Sequence, residues 1–190
     1  MSDLVIGADR LARCAWGASS PEYLSYHDTE WGFAVRTDDG LYERMTLEGF
    51  QSGLSWLTIL RKRPAFRAGF ANFAIDKVAG FGVADVDRLL ADTGIVRNRL
   101  KILAAIANAQ AAAALPDGLA ALLWSFAPPP RRRRPSSRAE IAASTPESTA
   151  MAKDLKRRGF RFVGPTTAYA LMQATGMVDD HLAGCYVRIR

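Results

Sequence analysis

Cysteine and histidine each occur only twice in this 190-residue chain, and they fall as one pair near each end. Cys14 and His27 lie near the N-terminus and His181 and Cys185 near the C-terminus, with neither type between them. The step from His181 to Cys185 puts both side chains on one face of a helical turn. Two thiolates with two imidazoles form the donor set of a closed, tetrahedral structural zinc site. A shared ion would staple the two ends together and make metal-ligand energy partly folding energy. Two other readings stay open at this point. The four residues are also compatible with ordinary buried thiols beside unrelated histidines, or with a Cys14–Cys185 disulfide, which a cytosolic setting disfavours.

Between these ends the punctuation is that of an all-α chain in one domain spanning residues 1–190. Ser20-Pro21-Glu22 sets a capped helix start. Asp38 or Asp39 is expected to cap the next helix, which carries Leu41, Met45 and Glu48. Gly49 and Gly53 are expected to interrupt it, because each glycine costs about 1 kcal/mol in a helix interior. Ser55 restarts a helix through Trp56, Ile59 and Leu60 towards Phe66 and Phe70. Val83–Ala91 stops at Gly94, and Arg97–Leu115 is an Ala-rich helix with a narrow apolar face. Thr145-Pro146-Glu147 opens a helix reaching Arg158, which Gly159 ends. A short hairpin, Gly159–Gly164, then leads through Pro165 into a last helix ending near Gly176. Residues 1–12 are expected to be a flexible N-terminus. Residues 127–144, including APPPRRRRPSSR, are expected to form an exposed linker, since prolines break helix and adjacent arginines repel.

The formal net charge is +6, but it is unevenly placed. Residues 128–163 carry ten Lys/Arg against three acids, the footprint of a phosphate-binding face unless it is only a solvated surface. No apolar run approaches the roughly 20 residues of a membrane span, and MSDLVIGADR is no signal peptide. A cytoplasmic monomer with no membrane or protein partner is the default.

The stretch Leu41–Arg63 carries an awkward acid. Glu48 sits among apolar residues, and a buried carboxylate is costly unless it has a partner or serves a pocket. Around it lie further motifs: Arg13-Cys14-Ala15-Trp16, Tyr23-x-x-Tyr26-His27-Asp28-x-Glu30-Trp31-Gly32, and Leu47-Glu48-Gly49-Phe50-Gln51-Ser52-Gly53-Leu54-Ser55-Trp56. Near the other end are Lys156-Arg157-Arg158-Gly159-Phe160-Arg161-Phe162-Val163-Gly164-Pro165-Thr166 and Val178-Asp179-Asp180-His181 followed by Cys185. In this order, from Arg13 to Cys185, they resemble the 3-methyladenine DNA glycosylase I family.

The resemblance implies a helix-hairpin-helix glycosylase fold with a structural zinc on Cys14, His27, His181 and Cys185, joining the N- and C-terminal segments. It implies an alkylbase pocket on Tyr23, Tyr26, Glu48 and Trp56. The implied activity is base-excision repair: hydrolytic release of 3-methyladenine from double-stranded alkylated DNA, with the free base as product. An enzyme must unstack and extrude such a base before reaching its glycosidic bond. Electron-rich rings favour the cationic methylated purine by roughly 0.5–2 kcal/mol each, and Glu48 opposes its charge as the candidate catalytic group. Gly164 and Thr166 at a helix N-terminus, with Arg161 and Lys156 nearby, suit phosphate binding. Leu54 is the candidate wedge for the space left by the flipped nucleotide, with a core leucine as the alternative.

Some residues depart from the pattern. Asp179 stands where Asn is usual in this family, which makes it either an additional electrostatic contributor or a conservative swap near the zinc. Phe162 occupies a hairpin position usually held by glycine. Thr166 lies where the superfamily's lyases carry a nucleophilic lysine, so no Schiff-base chemistry is expected. The rival readings are a non-enzymatic zinc-stapled DNA-binding module and a zinc hydrolase, the latter opposed by four protein ligands.

Overall fold

The computed structural model describes residues 3–189. Nine α-helices are present among them: α1 Pro21–Thr29, α2 Asp38–Gln51, α3 Trp56–Gly69, α4 Ile75–Ala79, α5 Val83–Ala91, α6 Arg99–Ala113, α7 Gly118–Trp124, α8 Pro146–Arg157 and α9 Pro165–Ala174. Strands β1 (Leu4–Ile6) and β2 (Ala12–Cys14) pair antiparallel, with Leu4 opposite Cys14. Residues 3–12, expected to be a flexible N-terminus, thus take part in a hairpin; residues 1–2 lie outside the described range. The hairpin is held from outside as well, because Tyr186 N–H donates to Ala12 O at 2.7 Å. Its own sequence lacks the alternation that announces a strand.

The helix starts follow side-chain chemistry. Ser20, Ser55 and Thr145 accept from the backbone N–H groups of Tyr23, Thr58 and Ser148 at 3.2 Å each. The start of α2 differs from expectation: Thr37 is its N-cap, accepting from Gly40 N–H. Asp38 and Asp39 reach other helices instead, accepting from Ala120 N–H at 2.7 Å and Ile75 N–H at 2.9 Å. They thereby satisfy first-turn donors of α7 and α4, two short helices that have no strong pattern of their own.

Helix α2 is central, and it runs unbroken through Gly49. Leu41, Tyr42, Met45, Leu47 and Phe50 are buried in the main core, so packing on several sides offsets the low helix propensity of the glycine. Behind α2 a run of phenylalanines, Phe50, Phe66, Phe70 and Phe73, holds successive centroid spacings of 4.7, 6.1 and 5.7 Å. An ion network locks α1, α2 and α3 together. Arg63 donates to Glu43 at 2.6 Å and to Glu30 at 2.7 Å, and Arg44 reaches Glu30 at 2.7 Å. These three helices carry Tyr26, Glu48 and Trp56, so the network fixes their relative placement.

The Pro/Arg segment is largely exposed, as expected, but it is anchored at a few points. Arg131 pairs with the fully buried Asp180 and donates to Tyr169 Oη, while Arg134 pairs with Asp179 at 2.7 Å. Pro135 is buried and its carbonyl accepts from Ala183 N–H at 2.9 Å. Charge that composition assigns to a repelling surface is partly used to bind the C-terminal segment; Arg132 and Arg133 remain exposed. Among the described residues no single helix is long and apolar enough to cross a membrane.

Candidate functional site

Tyr23, Tyr26, Glu48 and Trp56 come together around one cleft of about 330 Å³. Beside Ser19 and Ala170, four larger side chains complete its lining: Trp16, Trp31, Gln51 and Gln173. These four were absent from the expected pocket, although Trp16, Trp31 and Gln51 stand within the motifs that carry the resemblance; Gln173, on α9, has no local signal. Tyr26 is buried and its ring centroid lies 5.5 Å from Trp56. Tyr23 is held by accepting Leu57 N–H at 3.1 Å, which ties α1 to the first turn of α3.

Glu48 projects from α2 with 7% of its surface exposed. Among the described residues it has no hydrogen-bonding or ionic partner, and burial alone pushes its carboxyl up to about 8. The same burial, with Glu48 nearby, holds the Tyr26 phenol well above its usual range. Trp56 Nε1 is also buried without a hydrogen-bond partner. A largely buried acid and a buried indole N–H thus line the cleft side by side with the Tyr26 phenol.

The predicted metal ligands lie directly behind this wall. Candidate donor atoms of Cys14, His27 and Cys185 fall within 4.8 Å of one another, and all three residues are buried. His27 Nε2 stands 3.6 Å from Cys185 Sγ. Zn–S of about 2.3 Å and Zn–N of about 2.1 Å in a tetrahedron imply an S···N edge of about 3.6 Å. His181 lies outside that tight group, but its ring is 5.0 Å from that of His27 and its Nε2 is buried with no partner.

Carboxylates orient both imidazoles in the manner of outer-shell partners. Asp28 holds His27 Nδ1 at 2.8 Å and Asp179 holds His181 Nδ1 at 3.0 Å. Neither cysteine is in a disulfide. Hydrogen bonding between them draws the Cys185 thiol down and pushes the Cys14 thiol up. Donor chemistry, spacing and the orphaned imidazole nitrogen all fit zinc. Backbone approach is tight here, because a Cβ on Gly17 would meet His27 at 2.5 Å. Gly32, at φ +85°, likewise leaves no room before His181.

Trp16 and Trp31 connect the two places. Trp16 lies 5.1 Å from His27 and 5.0 Å from Trp31, and Trp31 lies 4.7 Å from His181. The cleft wall therefore rests on the imidazoles.

On the rim, Leu54 is exposed, so the core-leucine alternative fails. It sits in the turn between α2 and α3, beside Gly53 at φ +83°. Gln51 Nε2 donates to Leu54 O at 3.0 Å and Leu54 N–H to Gln51 O at 2.7 Å. The connection from α8 to α9 is a compact turn. Phe160 and Val163 are buried while Arg161 and Phe162 face outwards. Phe162 keeps a left-handed conformation, φ +55°, as if glycine still stood there. Gly164 is the N-cap of α9, and Thr166 is exposed in its first turn. Lys156 and Arg161 are exposed and form no ion pair among the described residues, whereas Arg157 and Arg158 are both drawn to Asp154.

A family model described as methyladenine glycosylase matches residues 16–189. The chain is similar to a protein of Escherichia coli (strain K12) named DNA-3-methyladenine glycosylase 1, with 44% identity over 179 residues, covering 92% of this chain and 96% of that one. A crystal structure of a 3-methyladenine DNA glycosylase I aligns with a TM-score of 0.87 at 46% identity, covering 92% of this chain and 98% of the other. A single-residue variant of a 3-methyladenine DNA glycosylase I, solved in complex with 3-methyladenine, aligns with a TM-score of 0.88 at 33% identity, covering 94% and 98%.

Proposed function

The chain belongs to the methyladenine glycosylase family, and from that premise we propose how its own residues release 3-methyladenine from alkylated DNA. It is a base-excision repair enzyme, an N-glycosyl hydrolase. The observation that carries the residue assignment is the buried, unpartnered Glu48 in an aromatic-walled cleft.

The flipped base enters between Trp56, Tyr26 and Tyr23, with Trp16 and Trp31 as further walls. At pH 7 the resting Glu48 is mostly protonated, and ionising it costs about 1.4 kcal/mol for the one-unit gap from about 8. A cationic 3-methyladenine offsets that cost with opposite charge in a low-dielectric site. Neutral adenine does not, so recognition and charge are coupled at one side chain. In the reaction the C1′–N9 bond breaks and its electron pair neutralises the departing base. Water adds to the sugar carbon and gives up a proton to solvent.

Leu54 fills the space left in the duplex, and the α8–α9 connection, with Gly164, Thr166, Arg161 and Lys156, binds phosphate as a helix-hairpin-helix element. Double-stranded DNA as substrate, a monomeric enzyme and a cytoplasmic location complete this reading. Zinc would be held by Cys14, His27, His181 and Cys185, supplying a structural cross-link and no open coordination position. Asp179, engaged by His181 and Arg134, orients a ligand, so Asp179→Asn should leave the single-turnover rate unchanged. With Thr166 in place of a lysine, borohydride trapping should give no covalent adduct.

The test is base release from methylated DNA. Free 3-methyladenine should appear, with undamaged DNA giving none and 7-methylguanine marking the breadth of the site. Glu48→Gln and Glu48→Ala should remain folded and lose excision; wild-type-like release by both removes the Glu48 assignment. A folded wild-type protein that binds DNA but releases no base would instead point to the non-enzymatic module.

A further inference from the structure

Helix α6 does more than pack. Lys101 and Asn108 lie seven residues apart, two turns along one face, and both are buried. Lys101 Nζ donates to Phe50 O at 2.8 Å and Ser52 O at 2.7 Å. These carbonyls lie at the C-terminal end of α2, where no intrahelical partner remains and a cation is favoured. They also lead directly into the Leu54 turn. Asn108 brackets one residue of the α8–α9 connection: its Oδ1 accepts Arg161 N–H at 2.7 Å and its Nδ2 donates to Arg161 O at 3.1 Å. Between them, Ala104 and Ala105 let the three segments meet around a void of only about 10 Å³, shared with Gly49 and Phe162.

The chemistry is more expensive than core packing requires. A lysine this buried is rare unless paired, and among the described residues Lys101 meets no carboxylate. A methionine would fill the same length without desolvating a charge. What lysine adds is a fixed position for two loop carbonyls, and a positive charge kept close to the rim. Asn108 offers the same kind of control, since a single amide substitutes for a strand partner where the connection has none.

We propose that Lys101 and Asn108 are positioning residues for DNA capture, through which α6 holds the Leu54 turn and the α8–α9 connection in one fixed relation. This rests on the reading of those two segments as the DNA-facing rim. It separates the rim, controlled from α6, from the base cleft, which α6 does not line.

The test measures two affinities for the same folded variants. One ligand is a duplex with a single abasic-site analogue; the other is free 3-methyladenine. Asn108→Ala and Lys101→Met should each raise the duplex dissociation constant about tenfold while free-base affinity stays within about twofold. Lys101→Arg, which can still donate to both carbonyls, should recover most of the loss. Duplex binding within about twofold of wild type in folded variants overturns the proposal, as does equal loss of both affinities. Should these variants not fold, Asn108→Asp keeps the acceptor for Arg161 N–H, and amide exchange on wild type remains: an unprotected Arg161 N–H overturns the proposal. Leu54→Ala is measured alongside. If Leu54→Ala weakens the duplex and the α6 variants do not, the α6 inference alone fails. If Leu54→Ala is inert as well, the reading of the rim fails and the inference falls with it.

Discussion

Glu48→Gln should make the free protein more stable and its stability less dependent on pH, while abolishing its activity. The folded carboxyl is held at about 8 against an ordinary value of 4.5. Between those values the native state binds a proton that the unfolded chain has released, so wild-type stability falls as pH rises through that window. At pH 7 the accumulated loss is about 2.5 units at about 1.4 kcal/mol each, roughly 3 kcal/mol. Glutamine is isosteric with the protonated acid and does not titrate, so the variant escapes this term. The two proteins should melt together below about pH 4, under the unfolded pKa, and be only about 2–3 °C apart at pH 5. They should diverge by about 6–12 °C at pH 7, taking about 2–4 °C per kcal/mol for a chain of this size. Thermal melts of both proteins at intervals from pH 5 to pH 8 measure the gap directly, because every other titrating group is common to both. A gap that stays constant with pH refutes the reasoning, since Glu48 would then not be desolvated in the resting enzyme. Base capture should show the converse: binding of a cationic substrate base near pH 7 should release a proton from wild type and none from Glu48→Gln.

Stripping the metal with a strong chelator should lower the melting temperature and weaken free-base binding together, because Trp16 and Trp31 rest on His27 and His181. Elemental analysis showing no stoichiometric zinc in freshly purified protein defeats this. Arg131→Ala should cost about 2 kcal/mol by leaving the buried Asp180 short of a charged partner, whereas Arg132→Ala should leave denaturant midpoints unchanged. Phe162→Gly should raise stability by about 1 kcal/mol by relieving the left-handed backbone, as denaturant titration would show. An unchanged or lower midpoint means the exposed ring contributes more packing than its exposure suggests.

The helix starts were legible because caps act locally: Ser20, Ser55 and Thr145 bond to N–H groups three residues away. Asp38 and Asp39 were misassigned for the opposite reason. Their partners, Ala120 and Ile75, are distant in sequence, and either a local cap or a remote one satisfies a carboxylate. Gly49 shows tertiary packing overriding propensity, since α2 passes through it buried on several sides. Leu4–Ile6 forms a strand because β2 pairs with it, and β2 is held in turn by Tyr186. Arg131 and Arg134 mislead by composition: four consecutive arginines suggest repulsion, and the acids that answer two of them, Asp180 and Asp179, sit about 45 residues away. For the site, the convergence of Tyr23, Tyr26, Glu48 and Trp56 on one cleft, and of Cys14, His27 and Cys185 on one buried cluster, was legible because the motifs that carry them stand out in the sequence. Lys101, Asn108 and Gln173 were not, because an isolated polar residue on a mostly apolar helix reports burial only once its partner is known.

Residues that break local rules occur on both sides of the molecule: behind the core, Ala71, Asn72 and Phe73 keep positive φ and Arg44 Nη1 is buried without a hydrogen-bond partner. There the Arg63–Glu43–Glu30 network and the stacked phenylalanine rings supply the rigid backing. Facing the cleft and its rim are an unpaired acid, an unpartnered indole N–H, a left-handed phenylalanine and a buried lysine without a counter-ion. A scaffold can hold such groups only if its remaining contacts over-determine their positions. Here the ion network and the core fix α2 from behind, the aromatic wall leans on His27 and His181, and Lys101 and Asn108 bond the Leu54 turn and the α8–α9 connection. Each support should therefore fail with its own signature: loss of the metal should soften the cleft, loss of the α6 contacts should loosen DNA, and loss of Glu48 should stabilise the fold while ending its selectivity.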